Sequence, residues 1–319
     1  MSDRAAPEIF GVDIGGTKCA VSLRRGSGRV RELHRFRTGK PARTLEEIAG
    51  VIREHRSSPR AVLGIACGGP LDAARGLILS PPNLPGWDRV PVTKILTRAT
   101  GGLRSFLMND ANANALAEWR FGGGRGSRLM IFLTAGTGMG AGIVVEGRLL
   151  EGVCGNAGEV GHLRLAEDGP VGFHKAGSFE GFCSGGGIAQ LAQFLPSADQ
   201  PADLDAWMRD HADAHAIALA ARRGDRTARA VFAESGRRLG QALALLVDVL
   251  NPDRIVIGSL WLRCRDLLEP EMRRVLRAEA LPDSLRACRI APAKLGESLG
   301  NYGAICVALH GLRQLHPKP

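Results

Sequence analysis

Two stretches of the chain share one physical plan. FGVDIGGTKCAV, residues 10–21, runs an apolar strand into an acid, two glycines, a threonine and a lysine, then into a second apolar strand. LMIFLTAGTGMGAGIVV, residues 129–145, repeats the plan without the lysine and is the nearest thing to an internal repeat. The first turn follows neither the GxxxxGK[ST] nor the GxGxxG spacing. A tight turn between antiparallel strands leaves backbone N–H groups that no sheet uses, and glycine lets an anion approach them. Thr17 adds a hydroxyl, Lys18 a positive charge, and Asp13 a carboxylate of the kind that works beside phosphates through a divalent ion. Each turn alone also reads as a plain glycine-rich hairpin. The two together suggest a nucleotide clamped across a cleft between two domains.

The rest of the chain supports that organisation. At 319 residues it is long for one core, and length favours two domains. RTLEEIAGVIREHR reads as a helix whose Thr44 and Glu47 form a capping box. AVLGIACG at 61–68 is a buried strand, GLILSPPNLPGW at 76–87 a strand followed by a proline-rich loop, and FLMND at 106–110 a strand ending in a carboxylate. A helix, ANANALAEWRFG, follows. The second half offers a long helix at about 226–250 stopped by Asn251–Pro252, a strand in RIVIGSL, and a closing helix in LGNYGAICVALHGLRQL. Strands alternating with helices in both halves argue α/β. The seam is expected near Glu118–Arg128. The N-terminal domain is then 1–117, completed by the last helix at about 297–319, and the C-terminal domain is 118–296.

Composition excludes some classes. No apolar run spans a bilayer, and MSDRAAPEIF lacks the apolar segment of a signal peptide, so a cytoplasmic protein without a membrane partner is expected. The seven cysteines are scattered without CxxC and read as reduced thiols. The net charge of +10 reads either as attraction to an anion or as an arginine-rich composition. No dense basic run or basic–aromatic interleaving points to nucleic acid.

The motifs DIGGTK at 13–18 and GTGMGAGIV at 136–144, with GGPLD, PPNLPGW, MNDANANALAEW, EGVCGNAGEVGH, FEGFCSG and NPDRIVIGS in that order, resemble the ROK family of sugar kinases and repressors. The resemblance covers most of the chain. It implies the two-domain actin/hexokinase-like (ribonuclease H-like) ATPase fold, with an interdomain cleft. It also implies phosphorylation of a hexose by ATP with Mg2+, glucose favoured, and a homodimer. N-acetylglucosamine, N-acetylmannosamine, fructose and allose are the alternative substrates. Asp110 is implied as general base, although on residues alone it reads equally as the cap of the helix starting at Ala111. The implied sugar ligands are Gly69, Asn83, Asn109, Asp110, Glu159, His162 and Glu180. The implied ATP contacts are Asp13, Gly15, Gly16, Thr17, Lys18, Thr137, Gly138 and Gly258, with Asp13 acting on magnesium, chiefly indirectly.

Repressors of the family carry a DNA-reading helix-turn-helix before the first strand, and only about eight residues precede it here, so a kinase is expected rather than a repressor. A sugar sensor without catalysis is the remaining alternative. Many members also hold zinc through a CxCGxxGCxE segment and the GEVGH-type histidine. The matching cysteine positions are Val171, Phe173 and Ser178, which leaves no thiolate, and His174, Cys154 and Cys183 fit no standard zinc spacing. No structural zinc is expected. Phe173, Phe179 and Phe182 are expected to pack as a small apolar cluster that fixes the loop carrying Glu180.

Overall fold

The computed structural model describes residues 7–136 and 138–315. The chain divides into two units: the first runs up to Phe121 and resumes at Leu295, and the second is Gly122–Lys294.

In the first unit, β1 (Glu8–Ile14), β2 (Lys18–Arg25) and β3 (Arg31–Arg37) form an antiparallel meander. Helix α1 (Pro41–His55) leads to β4 (Val62–Cys67), a two-strand hairpin of β5 (Leu71–Asp72) and β6 (Leu77–Ile78), α2 (Val92–Ala99), β7 (Arg104–Asn109) and α3 (Asp110–Phe121). The sheet order is β3-β2-β1-β4-β7, with β1, β4 and β7 parallel. Parallel strands are covered on both faces and read as continuous apolar runs; β4 is buried at every residue. β3 is the opposite case, an edge strand with no fully buried residue whose charges gave no apolar signal.

The start of α1 corrects the capping box. Pro41 opens the helix after Lys40, so Thr44 lies one turn inside it and is buried. Its Oγ1 accepts the Gly39 N–H at 3.0 Å. Glu47 bonds His34 at 3.0 Å instead of turning back to a cap. Proline at the first helical position loses no hydrogen bond, because that N–H has no helical partner.

The second unit repeats the sheet. β8 (Leu129–Ala135), β9 (Met139–Val145) and β10 (Arg148–Leu149) are an antiparallel meander. The small hairpin of β11 (Val171–Gly172) and β12 (Lys175–Ala176) precedes the short helices α4 (Phe179–Cys183) and α5 (Gly185–Ile188). Helices α6 (Leu204–Asp210), α7 (Ala214–Arg223) and α8 (Arg226–Leu250) follow. Next come β13 (Arg254–Ile257), α9 (Leu260–Glu279), α10 (Pro282–Ala287) and β14 (Arg289–Pro292). The order β10-β9-β8-β13-β14, with β8, β13 and β14 parallel, is the topology of the first sheet over again. Asn251 ends α8 in the left-handed conformation, φ 45°, which asparagine tolerates at helix C-termini.

The last helix, α11 (Leu299–Leu315), belongs to the first unit. Its Ile305 and Ala308 are buried against Ile9 of β1 and Val62 of β4. Each unit has its own core: Phe10, Val12, Leu63 and Ile65 lie in the first, and Ile131, Leu133, Phe232 and Leu243 in the second. Among the described residues no helix is long and apolar enough to cross a membrane.

Candidate active site

In the first unit the strand ends place the chemistry. Ile14, Cys67 and Asn109 are register partners across β1, β4 and β7, so the parallel strands finish in one row. Asp13 stands just before that row on β1, and Asp110 just after it, where β7 gives way to α3. Ligands in open α/β sheets bind outside such carboxyl ends. Both acids are half-buried. Burial pushes Asp13 up to about 6, the Asp110 charge adds to this, and Arg35 and Lys18 oppose it. Burial also raises Asp110, against the Ala111 N–H that bonds it.

The two oxygens of Asp110 have different surroundings. Oδ1 accepts the Ala111 N–H at 2.8 Å, and the same N–H reaches Asn109 Oδ1 at 2.9 Å. A methyl group built on Gly68 would stand 3.7 Å from Asp110 Oδ2 and 3.9 Å from Asn83 Nδ2, so that oxygen and that amide border one spot. Asn109 Nδ2 lies beside Gly69, 3.4 Å from where a Cβ there would be. Asn83, Asn109, Asp110 and Gly69 are thus brought together. Asn83 itself is exposed, on a loop anchored by buried Leu84 and Trp87; the Trp87 indole donates to Gly39 O at 3.1 Å.

The first glycine turn lies against this group. Gly15 N–H closes it on Lys18 O at 3.1 Å, and Thr17 and Lys18 are exposed. A Cβ on Gly16 would lie 2.5 Å from Asn83 O, so the turn and the asparagine loop touch there. Three supports carried no motif. Thr38 donates its hydroxyl to Gly15 O at 2.6 Å and its N–H to Thr17 O at 3.0 Å. Arg35 bonds Glu32 and bears on Asp13. Gly300 opens α11 so close to Asp13 that a Cβ would collide with Oδ2. A lone threonine, arginine or helix glycine is indistinguishable in sequence from any other.

In the second unit Gly136 N–H closes the turn on Gly138 O at 2.8 Å, and Gly138 is exposed. Thr137 lies outside the described residues. Glu180 points at this turn: Oε2 accepts the Met139 N–H at 2.8 Å. Its side chain fills a channel between glycines of three segments, since Cβ atoms on Gly138, Gly161 and Gly172 would come within 2.9, 3.4 and 2.7 Å of it. Glu159 and His162 are exposed in and before the 3-10 turn Val160–His162. Gly258 is buried, and its N–H is spent on Leu133 O at 2.9 Å.

The expected phenylalanine cluster forms only in part. Phe179 and Phe182 are buried, but Phe173 is 55% exposed and packs its ring against the His162 ring. Gly172 pairs with Lys175, so Phe173 and His174 are the two turn residues of the β11–β12 hairpin, with φ of 38° and 63°. Two-residue hairpins of that shape favour Asn-Gly, and a non-glycine residue there costs on the order of 1–2 kcal/mol. Ser178 Oγ accepts the Gly181 N–H at 3.1 Å and caps α4. With valine and phenylalanine at the other two positions and the serine hydroxyl so engaged, this donor set does not fit zinc. Among the described residues no group of three or more His, Cys, Asp or Glu side chains is placed to hold a metal ion.

Comparison with known proteins places the chain in a family. The glucokinase of Thermotoga maritima is 31% identical over 311 residues, covering 94% of this chain and 96% of its own. A ROK family glucokinase from Streptomyces griseus, solved in complex with glucose and AMPPNP, superposes with a TM-score of 0.73 at 28% identity, covering 95% of this chain and 100% of that one. The xylose repressor of Caldicellulosiruptor bescii is 27% identical over 94% of this chain and 78% of its own. The profile of the ROK family matches residues 9–310. The chain therefore belongs to the ROK family and has its actin/hexokinase-like fold.

Proposed function

We propose that the protein transfers the γ-phosphoryl group of ATP to a hydroxyl of a hexose, glucose favoured, with Asp110 as general base. The observation that carries this reading is the pair formed by Asp110 Oδ2 and the Asn83 amide above Gly68, beside the first glycine turn. Oδ1 is held by the Ala111 N–H and caps the helix, which leaves Oδ2 to accept the hydroxyl proton. Capping and catalysis therefore coexist in one side chain. The sugar oxygen attacks the γ-phosphorus, the bond to the β–γ bridging oxygen breaks, the proton passes to Asp110 Oδ2, and ADP departs. A base with a raised pKa holds that proton better than an ordinary aspartate.

Asn83 and Asn109 amides orient the hydroxyls, and Glu159, His162 and Glu180 of the second unit complete the sugar's hydrogen bonds. Gly15, Gly16, Thr17 and Lys18 receive phosphate, as do Thr137 and Gly138 of the second turn. Gly258 would serve by close approach of its backbone, not by its N–H. Two half-buried acids beside a glycine turn, with carboxylate oxygens as donors, fit a hard divalent cation. Asp13 would hold Mg2+, directly or through water, and the ion would neutralise charge on the β- and γ-phosphates. The glucokinase relatives support this reading. N-acetylhexosamines, fructose and allose are the competing substrates. An ADP-release assay over a panel of these sugars tests it: turnover with none of them would remove the kinase reading and leave a sugar-binding regulator.

A further inference from the structure

The β11–β12 turn combines features that packing alone does not explain. Two non-glycine residues, Phe173 and His174, occupy left-handed backbone where Asn-Gly would sit more easily. Phe173 leaves more than half its surface in solvent instead of joining buried Phe179 and Phe182. Its ring meets the His162 ring nearly at right angles, 75° with centroids 5.3 Å apart, a favoured aromatic geometry. From the same hairpin Lys175 Nζ donates to His162 O at 2.6 Å. Side chain and backbone of one histidine are thus held by residues two apart. Among the described residues neither ring nitrogen of His162 makes a hydrogen bond, so its polar edge stays available. Strained backbone that persists at a site points to a use for the strain.

We propose that Phe173 is a positioning residue for the substrate-binding imidazole of His162, and that this hairpin orients the histidine by ring packing and the Lys175 bond in place of a metal. The proposal rests on His162 being a sugar ligand. It gives Phe173 a role of its own at a position where the family resemblance implies a zinc ligand. The ring holds the imidazole before sugar arrives, so less freedom is lost on binding and the benefit falls on sugar affinity.

The test compares Phe173→Ala, Phe173→Tyr, the double variant Phe173→Asn/His174→Gly, and His162→Ala in the full chain. Phe173→Ala and the double variant should raise the KM for sugar about two- to tenfold, the span of one aromatic pair. The KM for ATP should not move, and Phe173→Tyr should behave as wild type. The double variant should melt at or above the wild-type temperature, because its turn is relaxed. A merely structural hairpin would not lose sugar affinity while gaining stability. The His162 ring resonances should also shift when the Phe173 ring is removed. An unchanged sugar KM in Phe173→Ala, with a raised one in His162→Ala, would overturn the proposal and leave the function standing. No effect in His162→Ala would instead remove His162 from the sugar site, and the proposal with it. One tightly held zinc per chain would overturn the metal-free arrangement.

Discussion

The two units have the same strand order and the same glycine turn after the first strand, but they end that strand differently. In the first, the residue before the last is Asp13, and a second acid, Asp110, beyond the end of β7 two strands away, raises its proton affinity further. In the second, the matching position is Thr134, whose hydroxyl is 2.7 Å from that of Ser259. The carboxylate there is Glu180, which arrives from a separate helix and reaches the turn only because three glycines clear its way. One scaffold therefore gives an acidic turn with raised proton affinity and a turn whose acid reaches in from another segment and is held there by the Met139 N–H. On the proposed function, the first is where a proton is taken up.

The sharpest way to break this comparison is to neutralise one acid in each unit. Asp110→Asn should lower kcat by about 10²–10⁴, the usual worth of a general base, with a far smaller change in sugar affinity. Glu180→Gln keeps an oxygen for the Met139 N–H and should act mainly on sugar KM. If the two substitutions have equal effects on kcat, the division of labour is wrong.

Adding a methyl group to each turn is a smaller perturbation. On Gly16 it would press on the Asn83 backbone, which cannot swing away, and overpacking of that kind costs about 1–3 kcal/mol. On Gly138 it would meet the end of Glu180, which can turn aside, so the cost should stay under about 1 kcal/mol. Gly16→Ala should therefore raise both sugar and ATP KM, and Gly138→Ala should be the milder lesion in thermal melts. The reverse order would show that the first turn is the softer one.

The smallest expected effect is on stability. Asp13 and Asp110 have folded-state pKa values above the ordinary aspartate range. A group raised in this way favours the folded state while protonated, and that contribution is lost as pH rises through the folded value, here about 6 for Asp13. At neutral pH the ionised pair costs stability. Asp110→Asn should then melt about 1–2 °C above wild type at pH 7.5, with the gain shrinking towards pH 5. A gain that grows on acidification would mean that folding lowers the pKa of Asp110 instead of raising it.

Much of this was legible in the sequence because it depends on local pattern. Both glycine turns, the long helix ending at Asn251 and the strand ending at Asn109–Asp110 are set by apolar periodicity and by residues with special backbone behaviour. What escaped depends on partners distant in the chain. Thr38 holds a turn more than twenty residues earlier, and Gly300 makes room for Asp13 from the far end of the chain. β3 was invisible because an edge strand may carry RELHRFR without an apolar face. Phe173 was misplaced because a hydrophobic residue near other phenylalanines reads as core, whereas the hairpin register turns it outward to His162.

The most direct test of the account is the product itself. The protein is incubated with ATP, Mg2+ and glucose, and the sugar is analysed by mass spectrometry. Wild type should yield glucose heavier by one phosphoryl group, in step with ADP, while Asp110→Asn should yield almost none in the same time. ATP and glucose left unchanged by the wild-type protein, or equal product from the variant, would contradict the account.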